Sequence, residues 1–241
     1  MKEVRQRRIV QLLDKHHQMT TDDLALALSV SRETLRRDLR ALQQQGAILR
    51  THGGACSTHD GAVHIPSFHQ RVKSHHVRKA AAAGRALAWV DEEMTLALDA
   101  STTGWHLARQ LPDIPLTVFT NSYRICCTLA KHRHVRVLHS GGWLDREQGS
   151  YDNPALLALL RHIDIDMFIF SCLGLAANGD IWEADVKDAH YKKLLLSRAT
   201  QALLLVDKSK CGRTGDVCIG HVSQLAALID EDESLMIENR E

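Results

Sequence analysis

Apolar positions follow two regimes along the chain. In residues 3–16, Ile9, Leu12 and Leu13 recur at helical spacing, with His16 one step further along the same face. After a break at His17–Met19, Thr20-Thr21-Asp22-Asp23 offers a hydroxyl N-cap with a carboxylate three residues on, a pattern that opens a helix. This second helix, over about 21–28, turns Leu24, Ala27 and Leu28 toward a core. Val30-Ser31 then makes a tight turn, Ser31 caps a third helix running to about Gln45, and Gly46 ends it. Ile48-Leu49-Arg50 reads as a short strand, with a turn at Gly53-Gly54.

The third helix separates apolar from cationic positions. At about 100° per residue, Leu35, Leu39 and Leu42 fall within roughly 40° of one direction, while Arg32, Arg36, Arg40 and Arg37 spread over an arc about 60° to 200° away. Its only acids are Glu33 and Asp38, so i,i+4 pairs are not expected to neutralise the arginine face. Ser31, Arg32 and Thr34 at the helix start, with Arg36, Arg37 and Arg40 beyond them, are candidate contacts to bases or phosphates of double-stranded DNA. Arg50 and His52 on the strand and turn that follow are candidate phosphate contacts. Three helices and a wing within residues 1–56 predict a winged helix-turn-helix. Residues 57–75, punctuated by Gly61 and Pro66, lack a period and read as a linker with a short ordered segment at Phe68–Val72.

From residue 76 to 241 helices and strands alternate. Helices are predicted near 76–90, 103–111, 123–132 and 186–200, and a further one is opened by Asn153-Pro154 and runs to about Arg161. Strands are predicted at Thr95–Leu98, Leu116–Phe119, Val135–Leu138, Met167–Phe170, Leu203–Val206 and Ala227–Ile229. The alternation predicts an α/β domain with a mainly parallel sheet covered on both faces. In such sheets ligands bind at the carboxyl ends of the strands. Five consecutive strand ends here are small, polar or glycine-rich: 99–104, 120–122, 140–142, 171–174 and 207–210. Ser101, Thr102, Thr103 and Gly104, between a strand and a helix start, suit a phosphate. Lys208 and Lys210 add positive charge, Asp99, Glu183 and Asp185 can accept from sugar hydroxyls, and Asn121, Ser122, Gly141 and Gly142 complete the rim. Helix capping and ordinary solvation are the plain alternatives for these serines, threonines and lysines.

Charge sharpens the division. Residues 1–80 carry 14 Lys and Arg against 7 Asp and Glu, and the remainder carries 16 against 22. A basic head on an acidic body implies a polyanionic partner for the head alone. No apolar run approaches the roughly 18 residues of a membrane span, and the polar residues 1–8 do not read as a signal peptide, so a cytoplasmic location is expected. The six cysteines show no zinc spacing and read as free thiols, and the histidines, including His75–His76 and His132, His134 and His139, form no recognisable metal motif. No metal and no cofactor is expected. Two further functions fit the rim: an aldose–ketose isomerase using Glu183 or Asp99 as base and Lys210 for electrostatic stabilisation, or an adaptor with an empty rim. The isomerase leaves the arginine face and wing unused.

Taken together, Thr20–Leu28, Ser31–Leu42, Ile48–Ala55 with its RTHGGA, Asp99–Thr103, Thr120–Ser122, Ser140–Gly142 and Asp207–Lys210 resemble the DeoR family of bacterial regulators over nearly the whole chain. The resemblance implies a sensor domain similar in fold to ribose-5-phosphate isomerase that binds a phosphorylated sugar without converting it, and homo-oligomers on DNA. It places the phosphate loop at Ser101–Gly104 and a basic residue at Lys210. Residues 96–114, 168–174, 203–210 and 219–221 resemble the fucose-type members, which implies L-fuculose 1-phosphate as inducer. Leu173, where those members lead one to expect an acid, and Cys211, where most of the family has an aromatic, depart from the pattern.

Overall fold

The structure, a computed structural model, describes residues 2–16, 18–44, 47–51, 53–57 and 66–236. The chain divides into two units, Met1–His64 and Ile65–Glu241. The first contains α1 (Lys2–His16), β1 (Gln18–Thr20), α2 (Thr21–Ala27), α3 (Arg32–Gln44), β2 (Ile48–Thr51) and β3 (Gly54–Ser57). The Thr20 hydroxyl accepts from the Asp23 amide at 3.1 Å and donates to its carboxylate, so the expected cap opens α2. The turn into α3 passes through Ser29 at φ 52° and closes with the Val30 amide donating to the Ala25 carbonyl at 3.0 Å. Ile9, Leu13, Leu24, Leu35, Leu39 and Ile48 are fully buried or nearly so and form the core.

Two features of this unit exceed the pattern read from sequence. Residues 18–20 form a strand where a break was expected at 17–19, and the sheet order is β1-β3-β2, antiparallel throughout. Three residues are too few to show an alternation, and the third strand exists because Gly54 lets β3 approach β1: a Cβ there would lie 2.2 Å from the Met19 carbonyl oxygen. Asp38, on the arginine helix, is buried and accepts from Arg5 Nε at 2.5 Å and Gln6 Nε2 at 3.4 Å, which ties α3 to α1.

The second unit begins with α4 (Phe68–Lys73) and α5 (His76–Ala86). It continues with β4 (Thr95–Leu98), α6 (Thr102–Ala108), β5 (Leu116–Thr120), α7 (Tyr123–Leu129), β6 (Val135–His139), β7 (Trp143–Asp145), β8 (Ser150–Asp152) and α8 (Leu156–Leu160). Then come β9 (Ile165–Phe170), β10 (Gly174–Leu175), β11 (Asp180–Glu183), α9 (Val186–Leu196), β12 (Ala199–Leu205), β13 (Val217–His221), β14 (Ala227–Ile229) and β15 (Ser234–Met236). Seven strands pair in the order β15-β14-β12-β9-β4-β5-β6, all parallel except β15. Side-chain alternation splits the strands between two cores. Leu96, Leu98, Met167, Ile169, Leu203 and Leu205 pack with α5, α6 and α7 on one face. Ala97, Phe168, Phe170, Ala202 and Leu204 pack with α8 and α9 on the other.

The hairpin of β7 with β8 and the small antiparallel sheet β10-β11-β13 were not visible in the hydrophobic pattern, because they are short and β7 buries none of its residues. The helix expected from Asn153-Pro154 starts later, at Leu156. Asn153 instead folds back on its own loop: its Oδ1 accepts from the Ala155 amide at 2.9 Å and its Nδ2 donates to the Ser140 carbonyl. The ordered piece expected near 68–72 is α4, opened by a reciprocal cap between Ser67 and Gln70 and anchored by buried Phe68.

Truncating Leu39 to Ala removes a fully buried side chain at the centre of the first unit's core. It should destabilise that unit by about 2–5 kcal/mol, read as a shift of its urea unfolding midpoint, with the second unit's transition unmoved.

Candidate functional site

On α3 the separation seen in sequence is realised: Leu35, Leu39 and Leu42 are buried, and Arg32, Arg36, Arg37 and Arg40 are exposed. The four guanidiniums are not equivalent. Arg32 is held by Asp22 of α2, Nε to Oδ1 at 2.6 Å and Nη2 to Oδ2 at 2.9 Å. Arg37 pairs with Glu33 one turn back at 3.4 Å, an i,i+4 pair the sequence reading did not expect. Arg36 and Arg40 form no ion pair among the described residues. Ser31 caps α3, accepting from the Thr34 amide at 3.2 Å, and its hydroxyl meets that of Thr34 at 2.9 Å. Arg50 is exposed on β2, and His52 lies outside the described residues.

The rim of the second unit is built around Lys192 of α9, which is 5% exposed. Its Nζ donates to the Glu183 carboxylate at the end of β11, to the Ser171 carbonyl after β9 at 2.7 Å, and lies 3.1 Å from Asp99 Oδ2 after β4. Burial works against this charge, but Glu183, Asp99 and Asp188 outweigh it and hold the ammonium well above its ordinary pKa. Asp99 accepts in addition from the Ser171 amide at 3.1 Å and, through Oδ1, from the Ser101 hydroxyl at 2.6 Å. Ser101 in turn caps α6 by accepting from the Gly104 amide at 2.9 Å, with buried Thr102 and Thr103 between them. Both carboxylates singled out as possible bases are therefore occupied by one lysine.

The neighbouring loops are equally constrained. Ser122 caps α7, and Asp185 caps α9 through the amides of Lys187 and Asp188. Gly141 and Gly142 turn with φ of 67° and 105°, and a Cβ on Gly142 would lie 2.1 Å from the Asp152 carbonyl oxygen. Asn121 is buried, and its Oδ1 has no hydrogen-bond partner. Lys208, one of the two lysines expected on the rim, turns instead to Asp232 and is exposed.

What remains on the rim is a surplus of positive charge, buried at Lys79 and half-buried at Arg71 and Lys210. Lys210 has its pKa lowered by burial, with Cys172 and Asp207 nearby. Lys79 of α5 is 5% exposed, donates to the Arg71 carbonyl at 2.6 Å, and is pushed down to about 8 by burial and then by Lys210. Arg71 of α4 is lowered by burial against the pull of Asp188, Glu183 and Asp99. Its Nη2 donates to Gln148 Oε1 at 2.8 Å, and its Nε is buried with no partner. Among the described residues none of these three cations forms an ion pair with a carboxylate. Burial also pushes Asp188 up to about 6 and the Cys172 thiol up to about 12. Among the described residues no three His, Cys, Asp or Glu side chains are grouped as metal ligands.

Lys79, Lys192 and Arg71 were missed from sequence. The first two carried a signal: Lys79 shares a helical stripe with Ala82, Ala83 and Ala86, and Lys192 one with Ala189 and Leu195, so each is a lysine in a buried phase. Arg71 stands in the stretch without periodicity and carried none.

The chain matches the DeoR-like helix-turn-helix domain over residues 5–60 and the DeoR C terminal sensor domain over residues 74–232. It belongs to the DeoR family of transcription regulators. Among its relatives in that family, the L-fucose operon activator of Escherichia coli is 48% identical, covering 98% of this chain and 97% of that one. The L-fucose operon activator of Haemophilus influenzae is 32% identical, covering 92% and 89%. The glycerol-3-phosphate regulon repressor of Escherichia coli is 29% identical, covering 91% and 87%. Among solved structures, ribose 5-phosphate isomerase A of Methanocaldococcus jannaschii matches with a TM-score of 0.42 at 14% identity, covering 55% of this chain and 53% of that one. The eIF2B delta subunit of Chaetomium thermophilum matches with a TM-score of 0.48 at 12% identity, covering 68% and 60%.

In this DeoR-family sensor domain, protonated Lys79 costs folding free energy. Its pKa is about 8 when folded and near the ordinary lysine value when unfolded, so the unfolded chain binds more protons between those limits. The penalty is full below pH 8 and fades as pH rises toward ~10.5. Lys79→Met, which also gives up one hydrogen bond, should raise ligand-free stability at pH 7 by about 1–2 kcal/mol. Urea titrations at pH 7 and pH 10 check it, the gain disappearing at the higher pH.

Proposed function

We propose that this DeoR-family regulator activates an L-fucose utilisation operon in response to L-fuculose 1-phosphate, which it binds at the strand-end rim without converting it. The observation that carries the effector class is the group of three cations, buried Lys79 and half-buried Arg71 and Lys210, none of which has a carboxylate partner among the described residues. A phosphate dianion there supplies the missing countercharge and acceptors. Asp99, Ser101–Gly104, Asn121, Ser122, Gly141, Gly142, Glu183 and Asp185 shape the surrounding loops. Because Asp99 and Glu183 are engaged by Lys192, neither is free to serve as a base, which favours binding over isomerisation. The fucose assignment and the activating sign follow the two relatives of that name, at 48% and 32% identity.

Operator DNA is bound by α3 and the wing, with the protein acting in the cytoplasm as a homo-oligomer. Arg36 and Arg40 are the leading contacts, since Arg32 and Arg37 are engaged by Asp22 and Glu33. Ser31, Thr34, Arg50 and His52 flank them.

A melting-temperature series tests the effector. L-Fuculose 1-phosphate at about 100 times its Kd should stabilise the sensor by roughly 2.7 kcal/mol, while free L-fuculose leaves it unmoved. Lys210→Ala should abolish the shift, and an equal shift with the unphosphorylated sugar rejects a phosphate site. For the head, Arg36→Ala combined with Arg40→Ala should weaken operator binding about 10-fold or more and flatten its salt dependence. Operator titration at two salt concentrations decides it, and unchanged affinity and slope reject α3 as the DNA-reading helix.

A further inference from the structure

Helix α4 is held on the second unit by an aromatic anchor and a few hydrogen bonds. Phe68 packs edge-on against Trp105 of α6 at 6.1 Å between ring centres, with the Arg124 guanidinium 4.4 Å from the Phe68 ring. The Phe68 amide reaches the Glu147 carbonyl at 3.4 Å, in the turn between β7 and β8. From this anchor α4 sends Arg71 inward, where its carbonyl receives Lys79 and its guanidinium meets the side-chain amide of Gln148. The rest of that guanidinium faces the field of Asp188, Glu183 and Asp99 without a bonded partner at Nε. A planar, half-buried cation with a buried, unused donor is an incomplete anion fork. In sequence α4 is also the first helix after the basic head among the described residues.

We propose that Arg71 is a ligand of the effector's phosphate, and that its engagement is what fixes α4 to the rim, making α4 a ligand-dependent strap on the sensor. The inference rests on the phosphate site argued above and adds to it a residue outside the sheet loops. Without an anion, Arg71, Lys79 and Lys210 have no shared countercharge, and α4 is held by Phe68, by the Lys79 bond to the Arg71 carbonyl and by Gln148. With one, Arg71 and the two lysines share a single countercharge, which adds a charged clamp at the middle of the strap. The state of the sugar pool is thereby written into the order of the helix that leads back to the head.

The test uses the full chain with L-fuculose 1-phosphate and, separately, inorganic phosphate. Calorimetry gives affinity, and amide hydrogen exchange follows the peptide spanning 68–73. In the unsubstituted protein the sugar phosphate should slow exchange in that peptide about 10-fold or more. Arg71→Met should weaken binding about 10- to 100-fold and, at saturating ligand, leave exchange in 68–73 unslowed. Arg71→Lys, which keeps the charge and loses the fork, should recover part of the affinity. Circular dichroism and the ligand-free melting temperature establish that the variants are folded. Phe68→Ala, which leaves Arg71 in place, should weaken binding less while raising ligand-free exchange in 68–73. Binding that depends on Lys210 but is unaltered in Arg71→Met, or that leaves 68–73 unprotected in the unsubstituted protein, overturns the strap and spares the phosphate site. Absence of binding to the unsubstituted protein overturns both.

Discussion

Lys192 leaves water only because Glu183, Asp99 and the Ser171 carbonyl replace its hydration, and those partners come from β11, from the end of β4 and from the end of β9. One ammonium thus fixes three strand ends and α9 relative to each other. Asp99 extends the constraint, since the same carboxylate receives the Ser171 amide and the Ser101 hydroxyl, and Ser101 starts α6. The loop most suited to phosphate is therefore positioned by a buried ion network rather than by its own sequence. Such networks are costly to break from one side, about 3–5 kcal/mol when a partner is removed, because the remaining charges stay buried.

That network also decides what the rim can do. Its two central carboxylates are held by one lysine, while among the described residues Arg71, Lys79 and Lys210 carry positive charge with no carboxylate in an ion pair with them. The same division between paired and unpaired cations recurs on the head. There, Asp22 and Glu33 engage Arg32 and Arg37, Asp38 is drawn into the core by Arg5, and Arg36 and Arg40 remain open. In both units the cations left without a carboxylate partner among the described residues are the ones proposed to meet an anion.

Much of this architecture is legible in the sequence, and the limits have physical causes. The parallel strands are mostly apolar because both faces of the sheet's middle are covered, the edge strand β6 with its exposed Arg136 being the exception, and every one of them was found within a few residues of its true bounds. The leucine stripe of α3 was equally plain, since Leu35, Leu39 and Leu42 are spaced for one face. Strands such as β1, β7 and β10 were not, since two or three residues cannot show a period. Rim chemistry was half visible. Lys210 stood in a polar strand-end loop, but Lys192 and Lys79 were hidden inside helices where lysine ordinarily means solvent. Lys208 misled for the opposite reason: its neighbourhood in sequence is the rim, yet its charge is satisfied by Asp232.

The crowding of Arg71, Lys79 and Lys210 has a consequence for the life of the protein in the cell. A fold that stores repulsion in its empty site opens more often when the site is empty, and open chains are the ones proteases cut. A bound anion relieves that repulsion and lowers the open population. On the proposed phosphate site, the effector would therefore set the lifetime of the regulator as well as its activity.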